Sequence, residues 1–266
     1  MPNLFLAGDF DFFKSLLIEA GELAITIQKS ALEVRRKRDE SIVTRADQAV
    51  QDLLIERIAR RYDGYNFIYE ENYSSATCRL EESMITAIID PIDGTAMFSM
   101  HLPFWCISIG IFKGYRPLYG FVYAPASNLF FYNDDRNAYL NDEIKLADKD
   151  MAIDAESNIF HASEMRNKCT IDFPGKVRNL GSTALHACLT IDNARNRTAA
   201  FIGKSNLWDW AGAIPIVLKA GVNVVYISGK EVDYKGIIQN NCKLVDYMVV
   251  HNFRNFEEIR KIFTCK

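Results

Sequence analysis

Apolar residues recur every three or four positions along the first part of the chain. Phe13, Leu16, Ala20, Ala24, Ile27, Ala31 and Val34 lie on one helical face. This spacing predicts a long helix from Phe10 that closes in the basic run RRKR at 35–38, where cations suit a helix C-terminus. A second helix is expected from Arg45 to Arg61, with Ala46, Ala49, Val50, Leu53, Leu54 and Ile58 inward and Thr44 as N-cap. The two should pair as a helical layer.

The period then shortens. YNFIY runs into Glu70 and MITAII into Asp90; FWCISIGIF, PLYGFVYAP and NLFFYN follow, the later runs separated by Gly, Pro and Asn. After the polar stretch NDDRNAYLNDEIKLADKD, strands alternate with shorter helices. SNIFHAS, a helix from about Ser182 to Ile191, TAAFI, a helix from Trp208, VNVVYI, YMVVHN and a last helix near Phe256 follow in order. A boundary near 145 divides the chain into 1–145, helices on an antiparallel sheet, and 146–266, an α/β half.

Composition adds limits. The chain has 266 residues, 49% hydrophobic and 24% charged, which is ordinary globular usage and enough for two cores. A net charge of −3 argues against a nucleic-acid partner. The N-terminal MPNLFLAGDFDFF lacks a basic region before its apolar residues, and Asp9 and Asp11 interrupt it, so no signal peptide is expected. LPFWCISIGIF and AIPIVLKAGVNVVYI are shorter than the ~20 residues a bilayer needs, which predicts no membrane span and a cytoplasmic protein. The six cysteines show no metal spacing and are read as reduced thiols, with Cys106 and Cys188 in the core and Cys265 in a loose C-terminus.

Glu70 and Asp90 each end an apolar run, and Asp209 opens a helix in LWDWAG. Together with Asp93 they offer four carboxylates without a histidine or cysteine, a donor set for a hard cation such as Mg2+. Pro91 biases Asp90 toward extended backbone, the three-residue step lets Asp93 face the same point, and the Ile92 carbonyl between them is a further oxygen donor. Gly94 permits close backbone approach, and Thr95 is expected to cap a short helix over AMFSM whose free N–H groups suit a phosphate. Each acid also has a structural explanation. Thr44 to Asp47 reads as a capping box, and Asp209 as a helix-dipole partner. Glu71, Glu81 and Glu82 read as solvated or supporting groups, Trp208 and Trp210 as packing, and His101, His161, His186 and His251 as structural or surface groups.

SIVTRAD at 41–47, EEN at 70–72, DPIDGT at 90–95, GS at 181–182 and WDWAG at 208–212 stand in the order and approximate spacing of the inositol monophosphatase family, the lithium-sensitive, Mg2+-dependent sugar-phosphate phosphatases, which the chain resembles over nearly its whole length. The resemblance implies an αβαβα layered sandwich, a homodimer, and hydrolysis of a small phosphomonoester by activated water, with two or three Mg2+ per site. It implies that Glu70, Asp90 and the Ile92 carbonyl bind one ion and that Asp90, Asp93 and Asp209 bind another, with a weaker third near Glu70. Catalytic roles fall to Glu70 and to Thr95 paired with Asp47, which orient the water. Substrate contacts fall to Asp93, Gly94, Thr95, Gly181, Ser182, Asp209 and the position of Ile202. At that last position inositol-selective members carry a hydroxyl-binding glutamate; Ile202, or Phe201 with a gap, predicts weaker selectivity here. KAGV at 219–222 also departs from the family's pattern, and Pro215 is expected to kink its helix. Fructose bisphosphate, adenosine bisphosphate and histidinol phosphate are alternative substrates, and a regulatory binding protein on the same scaffold is the alternative to an enzyme.

Overall fold

The run ITAII at 85–89 lacks apolar–polar alternation, as a strand covered on both faces should. A computed structural model of the chain, which describes residues 7–30, 34–36, 42–71, 82–165 and 168–265, has that arrangement. Ala87 and Ile89 enter one hydrophobic core and Ile88 enters a second on the opposite face.

The first elements in chain order are α1 (Ala7–Lys29), β1 (Val34–Arg36), β2 (Ile42–Thr44), α2 (Arg45–Arg61), β3 (Asn66–Tyr69), β4 (Ile85–Asp93) and α3 (Thr95–Ser99). Then come β5 (Cys106–Lys113), β6 (Arg116–Ala124), β7 (Leu129–Asn133), β8 (Ala138–Leu140) and β9 (Glu143–Lys145). The later elements are β10 (Asn158–His161), β11 (Cys169–Ile171), β12 (Lys176–Arg178), α4 (Thr183–Leu189), α5 (Asn193–Asn196) and β13 (Thr198–Gly203). The chain continues through α6 (Leu207–Ala211), α7 (Ala213–Lys219), β14 (Asn223–Tyr226), α8 (Tyr234–Gln239), β15 (Met248–His251), α9 (Phe256–Ile262) and β16 (Phe263–Cys265).

Strands β3 to β9 form one sheet in sequential order, parallel at β3–β4 and antiparallel elsewhere. A second sheet has the order β12-β10-β13-β15-β14. Helices α1 and α2 cover one face of the first sheet; α4, α6 and α7 lie between the two sheets; α5 packs beside β13, and Phe256 of α9 lies by His251 of β15. The result is the layered α+β sandwich. On the outer face Phe13, Leu17, Val50, Leu54 and Ile58 are buried against Ile89, Ile107, Ile109 and Phe121, each contributing about 1.5–3 kcal/mol by leaving water. Among the described residues no helix is long and apolar enough to cross a membrane.

The middle helices sit unusually close to the first sheet. Gly110 and Gly120 face each other across β5 and β6, and a Cβ on either would collide with the carbonyl oxygen of Ala211 or Gly212 respectively. The backbone between α6 and α7 therefore rests directly on the sheet, which sets how deep Asp209 reaches.

Several expectations need correction. Helix α1 ends at Lys29, and Val34–Arg36 is a strand paired with Ile42–Thr44, in keeping with the β-branched Val34, Ile42, Val43 and Thr44. Lys37 and Arg38 of the basic run, Ser41, Asn72, Cys78 and Glu81 lie outside the described residues. The polar stretch NDDRNAYLNDEIKLADKD contains two short strands, β8 and β9, at the end of the first sheet. Pro215 makes no kink: the helix restarts at Gly212, so Pro215 occupies the first turn of α7, where a missing N–H costs nothing. Cys265 is not loose, because β16 pairs with β11 and a disulfide joins Cys265 to Cys169, directly opposite with Cα atoms 4.0 Å apart.

Candidate active site

On a regular strand, residues three apart face opposite sides, so Asp90 and Asp93 could not share a point without an irregularity. Strand β4 contains one. Asp90 pairs with Ser108 and Asp93 with Cys106 of β5, three steps against two. The extra residue is a bulge, which also accommodates Pro91 inside a strand. It returns both carboxylates to one side, where Asp209 meets them from α6. Oxygen atoms of Asp90, Asp93 and Asp209 lie within 4.8 Å of one another.

Each acid is held by its surroundings. Asp90 Oδ1 accepts from the Ile92 N–H at 3.1 Å. Asp209 closes a capping box on α6, its Oδ2 accepting from the Asn206 N–H at 3.0 Å. Asp93 faces the start of α4: the Ser182 hydroxyl and the Ala184 N–H donate to Oδ2, both at 2.6 Å, and the Thr183 N–H to Oδ1 at 3.1 Å. Asp47 makes two sets of contacts. Its Oδ2 accepts from the Thr44 N–H and hydroxyl at 2.8 and 2.7 Å, forming the capping box of α2, while Oδ1 lies 3.3 Å from the Thr95 hydroxyl. Gln51 exchanges hydrogen bonds with the Glu71 backbone at 3.0 and 3.1 Å, which fixes the corner carrying Glu70 to α2. Glu70 itself stands outside the tight triad.

Burial and mutual repulsion decide the electrostatics. Burial drives Asp90 and Asp209 well above the carboxylate range; Glu70, Asp93, Asp209 and Asp47 then add to the rise of Asp90, and Asp93 and Glu70 to that of Asp209. Burial pushes Asp93 up to about 6 against three hydrogen bonds that favour its charge, and Asp47 up to about 7 against two from Thr44. The charged neighbours that shift these groups are themselves acids, and among the described residues no ion pair reaches Asp90, Asp93 or Asp209. All its donors are oxygen. The nearby Cys106 thiol, 3.7 Å from Asp93 Oδ2, is pushed up by burial and stays protonated, which disfavours a thiolate-seeking metal. These residues fit a hard divalent cation.

Comparison with known proteins decides the family. Residues 10–252 match the family model described as the inositol monophosphatase family. The chain belongs to that family. Inositol monophosphatase 3 of Solanum lycopersicum is 31% identical, with 91% of this chain and 97% of that protein covered. The IMPase of Thermotoga maritima superposes with a TM-score of 0.78 at 25% identity, covering 96% of each chain. An IMPase/NADP phosphatase solved with Mg2+ and phosphate superposes with a TM-score of 0.78 at 17% identity, over 96% of this chain and 94% of that one. As a family member the chain is a phosphoric monoester hydrolase.

Measured against the expectations for an inositol monophosphatase, some residues move. Gly94, at φ 94°, is itself the N-cap of α3, in a left-handed conformation that glycine adopts readily. Thr95 is therefore not the cap but the first helical residue, and its hydroxyl turns back to the Ile92 carbonyl at 3.0 Å. Ser182 is fully buried, bonded to Asp93 and capping α4 through the Leu185 N–H at 3.2 Å, so it positions Asp93 and does not face a substrate. Ile202 and Phe201 are likewise fully buried, both on the central strand β13, with Phe201 stacked on Trp210 at 4.9 Å. Neither can touch a substrate. Gly181 does reach a cleft, beside Ser163, Glu164 and Asn179. The last three carried no signal in the sequence, since isolated polar residues after short strands look like any loop.

Proposed function

We propose that this chain is a Mg2+-dependent phosphatase acting on a small phosphomonoester of the inositol 1-phosphate kind, with water as nucleophile. The observation that carries this reading is the triad of buried Asp90 and Asp93 with half-buried Asp209, gathered within 4.8 Å and, among the described residues, without an ion pair. The IMPase/NADP phosphatase solved with Mg2+ and phosphate supports the choice of metal.

Asp90, Asp93 and Asp209 would hold one ion, and Glu70, Asp90 and the Ile92 carbonyl another. When bound, Mg2+ supplies positive charge to the phosphate oxygens and makes a water acidic enough to attack at neutral pH. The protein's own groups do the rest. Asp47 and Thr95 orient the water, and Asp47, raised to about 7, can accept its proton through the Thr95 hydroxyl. The Gly94 and Thr95 backbone lies at the start of α3, whose first N–H groups have no intrahelical partner and suit phosphate oxygens. The reading extends to lithium inhibition, which a staphylococcal inositol monophosphatase solved as a LiCl-soaked inhibitory complex supports, and to a cytoplasmic homodimer.

Phosphate release should vanish on chelation and return with Mg2+. Asp90→Asn, which keeps an oxygen for the Ile92 N–H, should lower turnover by about 100-fold or more, beyond the ~10–100-fold usual for a residue that only supports a ligand. Turnover that persists in excess chelator would defeat the metal assignment.

A further inference from the structure

A cleft of about 80 Å³ adjoins the acidic triad. Thr183 joins the two, lining the cleft while its N–H donates to Asp93 Oδ1. The other walls used here are Ser163 and Glu164 after β10, Asn179 and Gly181 after β12, and His186 of α4. Strands β10 and β13 are parallel neighbours, and the Ala162 N–H donates to the Ile202 carbonyl at 2.9 Å. The two strands thus end at one sheet edge. Where Ile202 turns into the core, the neighbouring strand delivers Glu164.

The carboxylate is fixed in place. The Lys204 backbone N–H donates to Glu164 Oε1 at 2.7 Å, which leaves Oε2 as an acceptor. Asn179 Nδ2 donates to the Ser163 hydroxyl at 3.0 Å, and its Oδ1 accepts from the Gly181 N–H at 2.8 Å, so the polar wall opposite is also oriented. Among the described residues no lysine or arginine forms an ion pair with Glu164. His186 Nε2 accepts from the Leu180 N–H at 2.7 Å, and burial with the nearby His161 pushes this histidine down to about 3, so it is neutral. The Lys204 ammonium turns away to the Val245 carbonyl at 3.0 Å, and among the described residues no lysine or arginine lines the cleft. Such walls attract hydroxyl donors and repel anions.

Resting on the phosphatase reading above, we propose that this cleft is the leaving-group subsite, and that Glu164 selects a polyhydroxy alcohol carrying no second anionic group. The carboxylate that hydroxyl recognition needs comes from the strand next to the one bearing Ile202.

The test compares kcat/KM of the Mg2+-loaded chain for myo-inositol 1-phosphate, fructose 1,6-bisphosphate and ethyl phosphate, which has no free hydroxyl. Wild type should favour the inositol ester over both. Glu164→Gln should reduce the inositol-to-ethyl ratio by roughly tenfold or more, the loss expected when a charged acceptor for a hydroxyl is removed. Glu164→Lys should raise relative turnover of the bisphosphate. General structural damage lowers all three substrates together and leaves the ratios intact, so the ratios isolate recognition. If Glu164→Gln does not fold, Glu164→Asp, which withdraws the carboxylate by one methylene, is read by the same ratio. An unchanged ratio, or a wild type that favours the bisphosphate, overturns the inference while the phosphatase reading stands. Failure of wild type to release phosphate from any of the three overturns both.

Discussion

Raising the pH of the metal-free protein from about 6.5 to about 8.5 should destabilise it, the reverse of what paired surface carboxylates would do. Asp47 rises from 3.8 to about 7 on folding and is fully buried. Near neutral pH the folded state therefore keeps a proton that the unfolded chain has released, and each such proton lowers stability by about 1.4 kcal/mol per pH unit. Asp47 alone then loses about 0.8 kcal/mol across the window. Asp90 and Asp209, pushed higher still, each add up to about 1.4 kcal/mol per pH unit for as long as they stay protonated. His186 and His251, lowered to about 3 and about 4, act with the opposite sign, because the unfolded state binds their protons first. The unfolded histidines are still half protonated at pH 6.5, so each adds about 0.4 kcal/mol of stability across the window, and together they offset the Asp47 loss. The net loss therefore comes from Asp90 and Asp209, up to about 5–6 kcal/mol over the two units, and corresponds to a fall in Tm of several degrees or more, at ~2–4 °C per kcal/mol. Mg2+ binds the charged carboxylates, so saturating metal should flatten the slope and stabilise most at high pH. Thermal melts in chelator and in Mg2+ across the window measure both. A metal-free Tm that is flat or rising, or a slope that Mg2+ leaves unchanged, would refute the argument.

Two further outcomes follow from the packing. Gly110→Ala places a methyl group against the Ala211 carbonyl and should lift α6 from the sheet, costing about 1–3 kcal/mol and withdrawing Asp209, read as a lower Tm together with weaker Mg2+ binding by calorimetry. Cys169→Ser opens a cross-link spanning 96 residues and should cost up to about 4–5 kcal/mol in chain entropy, measured by urea unfolding with a free-thiol count on the unfolded wild type. Equal midpoints for wild type and variant would show that the disulfide contributes no stability.

Local rules determined much of this protein. Helix α2 and its Thr44–Asp47 capping box were readable because apolar period and cap chemistry act within a few residues, and the acids of DPIDGT and WDWAG stood out because their spacing is local. Tertiary structure decided what depends on distant neighbours. A bulge in β4, visible only against β5, puts Asp90 and Asp93 on one side. Gly110 and Gly120 set the depth of Asp209 through a contact about 100 residues away in sequence. Ser182 turned out to hold Asp93, and Ile202 to fill the core, because strand pairing and helix docking settle which way each side chain faces. The pairing of Cys169 with Cys265 and the delivery of Glu164 to the cleft likewise come from strand neighbours, which no local pattern encodes.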